Sequence, residues 1–184
     1  MQFVKTPLKN QRVVIKVKKW IKFVENTKNP TYVVGIVACL NDKKQFLLVK
    51  RSQTDKIKPG YWEWPGGHVD PEDASIEAGA VRELEEEANL KCSSDKVKFL
   101  GFQEIKRPQV EDKNIEIVVK RYYFLATEWE NEPKIVPNPV SGILEHDDMK
   151  WSTREEIKSI ENTEIPDYLL DKALKMAGFE TQDD

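Results

Sequence analysis

Four glutamates stand within five consecutive positions of this 184-residue chain, at positions 83, 85, 86 and 87. On a helix, Glu83, Glu86 and Glu87 share one face, because they are three and four residues apart. Like charges at this spacing repel by about 0.2–0.5 kcal/mol per pair, and carboxylates near a helix C-terminus also oppose the helix dipole. A divalent cation bound between them would offset that repulsion.

A metal site competes with the simpler interpretation of a solvated acidic helix face. Solvated faces normally carry Lys or Arg one turn after each acid, whereas Arg82 is the one cation near these glutamates before Lys91. Clustered carboxylate oxygens select hard ions, so we predict Mg²⁺ as the metal, with Mn²⁺ as the alternative. We expect the carboxylates to be exposed and the opposite face to be buried, namely Ala78, Val81, Leu84 and Ala88.

A Pro65-Gly66-Gly67 segment precedes the acidic helix by about fifteen residues. Glycine adopts backbone torsions that are closed to other residues and lets the backbone approach a ligand. A tight turn would explain the glycines by itself. Because the turn leads into the acidic helix, the Gly66 carbonyl is also a candidate to complete a metal shell. Asn89 tolerates the left-handed conformation that is favoured just past a helix end.

The composition is that of a globular domain with a charged surface, with 39% hydrophobic and 33% charged residues and a net charge of −3. No apolar run approaches the ~20 residues of a membrane span. We therefore predict no membrane partner and no nucleic-acid partner, while small nucleotides remain open as ligands. The N-terminus lacks signal-peptide features, and two isolated cysteines fit a reducing compartment, so we predict a cytoplasmic location. His68 and His146 are too few for a histidine-based metal centre.

The elements that must position these residues follow from the apolar patterns. Strands are predicted over residues 32–40, 45–50, 61–64, 97–105 and 115–127, and an irregular segment over 128–150. A helix from about Asp73 to Ala88 carries the glutamates. Thr153 and Glu156 form a capping box for a short helix, and a last helix runs from Pro166 to a stop at Gly178. This order predicts an α/β layered fold with a mixed sheet.

The predicted domain covers residues 31–184, and residues 1–30 form an N-terminal extension that is either packed on the domain or flexible. The extension is basic and fits a helix and a strand about equally well. Such a basic amphipathic stretch is able to contact a membrane or an acidic partner, but a solvated element at the edge of the domain is the preferred interpretation. The oligomeric state is left open, with a homodimer among the options.

The stretch GGHVDPEDASIEAGAVRELEEEANL, residues 66–90, resembles the Nudix box. That family pattern reads G-x5-E-x7-R-E-U-x-E-E-x-G-U, where U is aliphatic. Gly67 matches the first glycine, and residues 82–87 match R-E-U-x-E-E. Asn89 replaces the last glycine, and one extra residue lies in the loop. The first acid therefore falls on Asp73 when counted from Gly67 and on Ala74 when counted back from Arg82. The chain is identified as a member of the Nudix hydrolase family, of the MutT-like kind.

This resemblance implies an α/β/α sandwich and a Mg²⁺-dependent hydrolysis of a diphosphate bond. The implied substrate is a nucleoside diphosphate linked to another moiety, such as a nucleoside triphosphate, a dinucleotide or a nucleotide sugar. It also implies a set of metal-binding residues, namely the Gly66 carbonyl, Glu83, Glu86, Glu87 and Glu145. Arg82 would orient Glu83, and the general base would be Glu83, Glu86 or Glu145. Glu145 resembles the distal glutamate that some members place before a Trp-containing strand, and Asp147 and Asp148 compete for that role.

Substrate contacts are less well defined by the sequence. Arg51 is a candidate phosphate contact together with Gly67, although an ordinary surface arginine fits nearly as well. Tyr61, Trp62 and Trp64 could stack on a base, but packing is the preferred interpretation. Two other functions compete with hydrolysis: a non-catalytic nucleotide-binding Nudix domain, which would often lack box glutamates, and a diphosphate isomerase of related fold, which would need a reactive strand cysteine such as Cys39 and a histidine cluster.

Overall fold

The structure, a computed structural model, describes residues 30–110, 112–139 and 141–180. All but the last residue of the predicted N-terminal extension lies outside this range. The strands are β1 (Thr31–Cys39), β2 (Gln45–Arg51), β3 (Trp62–Glu63), β4 (Gly66–His68), β5 (Lys98–Pro108), β6 (Glu116–Ala126) and β7 (His146–Thr153). The helices are α1 (Ile76–Ala88), α2 (Arg154–Lys158) and α3 (Asp167–Met176).

The strands form a four-stranded sheet, in the order β4-β1-β6-β5, and a three-stranded sheet, in the order β3-β2-β7. Strands β1 and β6 are parallel, and the other pairs are antiparallel, so the larger sheet is mixed as predicted. Helix α1 packs on β1 and β4, whereas α3 packs on β5 and α2 on β7.

Strands β1 and β2 are buried on both faces, because helices cover the sheets from two sides. Successive side chains of a strand point to opposite faces, so each strand contributes to two cores. The core beneath α1 includes Val37, Cys39, Leu47, Leu84 and Ala88. The core beneath α2 and α3 includes Ala38, Phe46, Leu48, Ile157 and Leu169. This arrangement is the predicted α/β/α sandwich.

Helix α1 is fixed at both ends by side chains. The Ser75 hydroxyl accepts a hydrogen bond of 3.1 Å from the Ala78 amide, so the helix begins at Ile76 and not at Asp73. Asn89 ends the helix in the left-handed conformation, with φ 59°, as predicted. Its side-chain amide also donates to the carbonyl of Glu132 at 3.0 Å, which ties the following loop to the helix end. Loss of the Ser75 cap would cost about 0.5–2 kcal/mol.

Two predicted elements differ from the structure. Gly66 and Gly67 form strand β4, which pairs with β1, and not a simple turn. A Cβ atom at Gly66 would lie 2.4 Å from the carbonyl oxygen of Gly35, so only glycine allows β4 to approach β1 this closely. Strand β7 begins at His146, inside the stretch predicted to be irregular. Pairing with β2 overrides the polar composition of its first residues.

The C-terminal elements follow the prediction. The Thr153 hydroxyl accepts from the Glu156 amide at 3.3 Å, and the Glu156 carboxylate accepts from the Thr153 amide at 2.7 Å, which confirms the capping box. Helix α3 begins after Pro166, and Gly178 follows it with φ +84°. Among the described residues, no helix combines the length and the apolar character needed to cross a membrane.

Candidate active site

The four carboxylates singled out by the sequence line one cavity. Glu83, Glu86 and Glu87 come from α1, and Glu145 comes from the position directly before β7. The cavity is narrow, with a free volume of about 10 Å³, and it is completed by Val136, Asn138 and His146. Because β7 pairs with β2 in the sheet next to α1, the fold brings together carboxylates that are far apart in sequence.

Arg82 is the cation at the centre of this cluster. Its Nη1 donates to Glu83 Oε1 at 2.9 Å and to Glu86 Oε1 at 3.2 Å. Its Nη2 donates to the His68 carbonyl at 2.8 Å, which ties the helix to β4. The hydrogen bond to Asp73 and the charge of Glu83 raise the pKa of Arg82 although burial opposes them, so Arg82 stays charged. The contact with Glu83 is the one that the resemblance implied for Arg82.

Asp73 shows what the extra loop residue does. Its carboxylate accepts two hydrogen bonds from Arg82, at 3.2 Å from Nε and at 3.1 Å from Nη2. It also accepts from the Asp70 amide at 2.8 Å. The side chain is 11% exposed. Of the two positions that the spacing allowed for the first acid, Asp73 is therefore the one that contacts the site, through Arg82.

Glu83 and Glu87 are less exposed than predicted, at 15% and 10% of their side-chain surface. The expectation of a solvent-facing acidic surface is wrong for these two residues because β4 and the start of β7 cover that side of α1. A Cβ atom at Gly67 would lie 2.5 Å from Glu83 Oε2, so the glycine makes room for this carboxylate. The Gly66 amide donates to Glu87 Oε2 at 2.8 Å.

Burial changes the proton affinity of these two carboxylates. Burial raises the pKa of Glu83 to about 7, with Glu86 and Glu145 adding to the rise and Arg82 opposing it. Burial also raises the pKa of Glu87 well above its ordinary value, and the charge of Glu63 adds to it while the Gly66 amide opposes it. The site therefore concentrates more negative charge than its own cations balance. A bound cation would stabilise the ionised carboxylates.

The candidate metal ligands are carboxylate oxygens, which are the ligands that a hard divalent cation prefers. Each carboxylate has a protein donor in this structure, and Glu145 accepts from Asn138 Nδ2 at 2.7 Å. With the side chains in these positions, no three acidic, histidine or cysteine side chains of the described ranges converge closely enough to hold an ion. Binding a metal would therefore need side-chain rotation within the cavity, away from donors such as the shared Nη1 of Arg82.

Arg51, the predicted phosphate contact, is bonded to protein groups. Its guanidinium donates to Glu63 Oε1 at 2.8 Å, to Asp55 Oδ2 at 2.6 Å and to the Ile57 carbonyl at 2.7 Å. It does not line the carboxylate cavity. These contacts fasten the loop after β2 to β3, so the structure favours a structural role for Arg51.

The aromatic cluster is also largely structural. Trp64 is 2% exposed and its ring lies 5.7 Å from that of Phe46, in the core beneath α3. Trp62 is partly buried, and the ammonium group of Lys150 lies 4.3 Å from the centre of its ring. The preferred interpretation of packing therefore describes both tryptophans. Cys39 is fully buried and burial raises its pKa, which disfavours the reactive cysteine of an isomerase.

His146 is a site residue that the sequence did not reveal. It is 3% exposed and lies between Glu63 and Glu87. From the sequence, His146 served only as evidence that the chain has too few histidines for a histidine-based metal centre. Its position directly after Glu145 was the available signal. The neighbouring acids Asp147 and Asp148 do not line the cavity, so of the three candidates for the distal acid only Glu145 lies with the helix carboxylates.

Comparison with known proteins identifies the family. The family model described as the NUDIX domain matches residues 29–173, most of the chain. The chain therefore belongs to the Nudix family, as the box predicted. The relatives that it matches are named hydrolases, which is the enzyme class that the sequence predicted.

Two curated relatives show how far the similarity extends. The chain is 34% identical over 83 residues to the m7GpppN-mRNA hydrolase NUDT17 of Xenopus laevis, covering 45% of this chain and 28% of that protein. It is 38% identical over 77 residues to the uncharacterized Nudix hydrolase NudL of Photorhabdus laumondii, covering 42% of this chain and 39% of that protein. The matches thus span about a third of the length of these relatives.

Solved structures support the fold. A MutT protein from Methanosarcina mazei Go1 aligns with a TM-score of 0.58 at 23% identity, over 83% of this chain and 97% of the other. An Ap4A hydrolase from C. elegans aligns with a TM-score of 0.52 at 24% identity, over 81% and 98%. At these identities the likeness establishes the Nudix fold alone.

Proposed function

We propose that this chain hydrolyses a diphosphate bond in a nucleoside diphosphate linked to another moiety, with Mg²⁺ as the working metal and Mn²⁺ as its substitute. The observation that carries the proposal is the convergence of Glu83, Glu86, Glu87 and Glu145 on one cavity. Three of them lie on one helix, and the fourth reaches the cavity through the pairing of β7 with β2.

The metal would be held by these four carboxylates, with the Gly66 carbonyl as a further ligand. A bound divalent ion neutralises charge on diphosphate oxygens and makes water a better nucleophile. The residues of the chain supply the rest. Arg82, which is itself fixed by Asp73, donates to Glu83 and Glu86 through one nitrogen and balances part of their negative charge.

Of the three candidates for the general base, we favour Glu145. Glu83 and Glu86 both accept a hydrogen bond from Arg82, so one oxygen of each carboxylate is already occupied. The carboxylate of Glu145 bonds instead to the neutral amide of Asn138, on a segment outside the helix. A base must lie within hydrogen-bond reach of the attacking water, and the position of Glu145 on the wall opposite α1 suits that role.

The substrate class is supported by the names of similar proteins. NUDT17 is named a hydrolase of m7GpppN-mRNA, and the C. elegans neighbour is named an Ap4A hydrolase. A bifunctional protein from Francisella tularensis with a TM-score of 0.52 is described as an ADP ribose pyrophosphatase complexed with AMP and a manganese ion. Capped RNA, dinucleoside polyphosphates and nucleotide sugars all join a nucleoside to another group through phosphoanhydride bonds.

A substrate panel with Mg²⁺ tests this function. It should contain nucleoside triphosphates, ADP-ribose, dinucleoside polyphosphates, nucleotide sugars and a capped dinucleotide, with products detected as orthophosphate released by added phosphatase. We expect turnover of at least one member, and its loss in excess chelator. Glu85→Gln is the matched control, because Glu85 lies on the same helix but is exposed and outside the cavity. Nucleotide binding without turnover of any member would favour the non-catalytic alternative.

A further inference from the structure

His146 is buried between two carboxylates that belong to different elements. It is one of two buried polar side chains among the described residues, the other being Ser152. Its Nε2 lies 3.3 Å from Glu63 Oε1, on β3, and its Nδ1 lies 3.9 Å from Glu87 Oε1, on α1. Burying an imidazole is costly unless its polar atoms find partners, so this position calls for an explanation.

The imidazole is held in place from one side. Glu63 Oε1, which contacts His146, also accepts a hydrogen bond of 2.8 Å from Arg51. The backbone before His146 is fixed as well, because the Ser52 amide donates to the Glu145 carbonyl at 2.8 Å. The ring is therefore restrained by Glu63 on β3 and by the backbone contact with Ser52 after β2. It cannot turn away from α1 without breaking these contacts.

The other edge of the ring faces a residue of the proposed metal site. Glu87 Oε2 is bonded to the Gly66 amide, which leaves Oε1 on the side of His146. The side chain of Glu87 is 10% exposed, so the imidazole forms part of the wall that limits where this carboxylate can point. The contacts run in order from Arg51 through Glu63 and His146 to Glu87.

We propose that His146 is a positioning residue, which restrains the carboxylate of Glu87 for metal binding through its contact with Glu63. The proposal rests on the proposed function, because it takes Glu87 as a metal ligand. Groups that contact a ligand residue orient it, and their removal typically weakens metal binding by about 10–100-fold. This also gives Arg51 and Glu63 a role at the site without contact with substrate.

The test is the affinity of the full chain for Mn²⁺ alone, measured by calorimetry or by electron paramagnetic resonance without substrate. His146→Leu keeps the volume and removes both nitrogens, and we expect its Kd to rise at least about tenfold. In His146→Gln the amide can still reach Glu63, so its Kd should stay within about threefold of wild type. Ser152→Ala, which removes the other buried polar side chain of β7, should leave the Kd unchanged.

Two further variants keep the outcomes distinct. If Glu87→Gln binds Mn²⁺ like wild type, the metal site of the proposed function is wrong and the role of His146 falls with it. A second outcome is that Glu87→Gln loses affinity for Mn²⁺ while the Kd of His146→Leu stays within twofold of wild type. If thermal unfolding in chelator shows that His146→Leu is folded, this outcome overturns only the positioning role. Should His146→Leu not fold, Glu63→Ala decides, since Glu63 is one-third exposed. We expect its Kd to rise at least threefold, and an unchanged Kd would overturn the proposal.

Discussion

Replacing Glu83 by glutamine should make the metal-free protein more stable while it removes activity. Burial raises the pKa of Glu83 from its ordinary 4.5 to about 7, so the folded state resists ionisation of this carboxylate at neutral pH. For an acid whose folded-state pKa is raised, stability is complete below the unfolded-state pKa and declines as the pH rises through the folded-state pKa. Glutamine has the same shape and cannot ionise, so it removes this decline.

The magnitude follows from the shift. At about 1.36 kcal/mol per pKa unit, a rise from 4.5 to about 7 corresponds to about 3.4 kcal/mol at pH 8. Screening of a partly exposed carboxylate reduces this to about 1–2 kcal/mol. For a domain of this size the gain corresponds to a rise in Tm of about 2–8 °C. At pH 5 the gain should fall to about a quarter, since the folded carboxyl is then protonated in wild type as well.

Thermal unfolding in excess chelator at pH 5 and pH 8 measures this directly. Glu85→Gln on the exposed face of the same helix is the control, and it should shift Tm equally at both pH values. Added Mg²⁺ should raise the Tm of wild type at pH 8 more than that of Glu83→Gln, because the ion binds the ionised carboxylate and offsets the cost of burying its charge. Equal destabilisation of Glu83→Gln at both pH values would refute the claim that burial of the ionised Glu83 carboxylate destabilises the metal-free protein.

Three other outcomes are expected from the same site. Glu86→Gln and Glu87→Gln should each lose most turnover while circular dichroism shows an intact fold, and wild-type turnover in either variant would contradict their role. Glu145→Ala should lower turnover at least about tenfold, a loss of about 1.4 kcal/mol in transition-state stabilisation. If Glu145→Ala keeps wild-type turnover while Asp147→Ala or Asp148→Ala loses it, the distal acid is that neighbour and not Glu145. Hydrolysis in ¹⁸O-labelled water should place one label on a phosphate product, whereas label on carbon or a trapped covalent enzyme intermediate would exclude direct attack of water on phosphorus.

Local patterns predicted much of the fold. The spacing of apolar residues located β1, β2, β5, β6 and the last helix. Asn89 ends its helix in the left-handed conformation and Thr153 forms a capping box, as their residue types predicted. Strands β4 and β7 were missed because they are short or polar at their start, and they exist through pairing with β1 and β2. Such pairing is a tertiary effect that overrides local propensity.

The site was predictable in part for the same reason. Helical periodicity alone places Glu83, Glu86 and Glu87 on one face, and the resemblance to the family beyond the box adds Glu145. Burial of Glu83 and Glu87 was not predictable, because it depends on which strands pack beside α1. The place of His146 likewise depends on the register of β7 against β2, which brings it between Glu63 and Glu87. For Asp73, the spacing left two positions open, and only the contact with Arg82 decides between them.

The central claim is that the carboxylates of α1 and Glu145 form one site for divalent metal. Crystals of the full chain grown with Mn²⁺ test it most directly, through the anomalous diffraction of the ion. We expect an anomalous peak in the cavity lined by Glu83, Glu86, Glu87 and Glu145, and the loss of this peak in Glu86→Gln/Glu87→Gln. Manganese bound elsewhere, with none in this cavity, would contradict it.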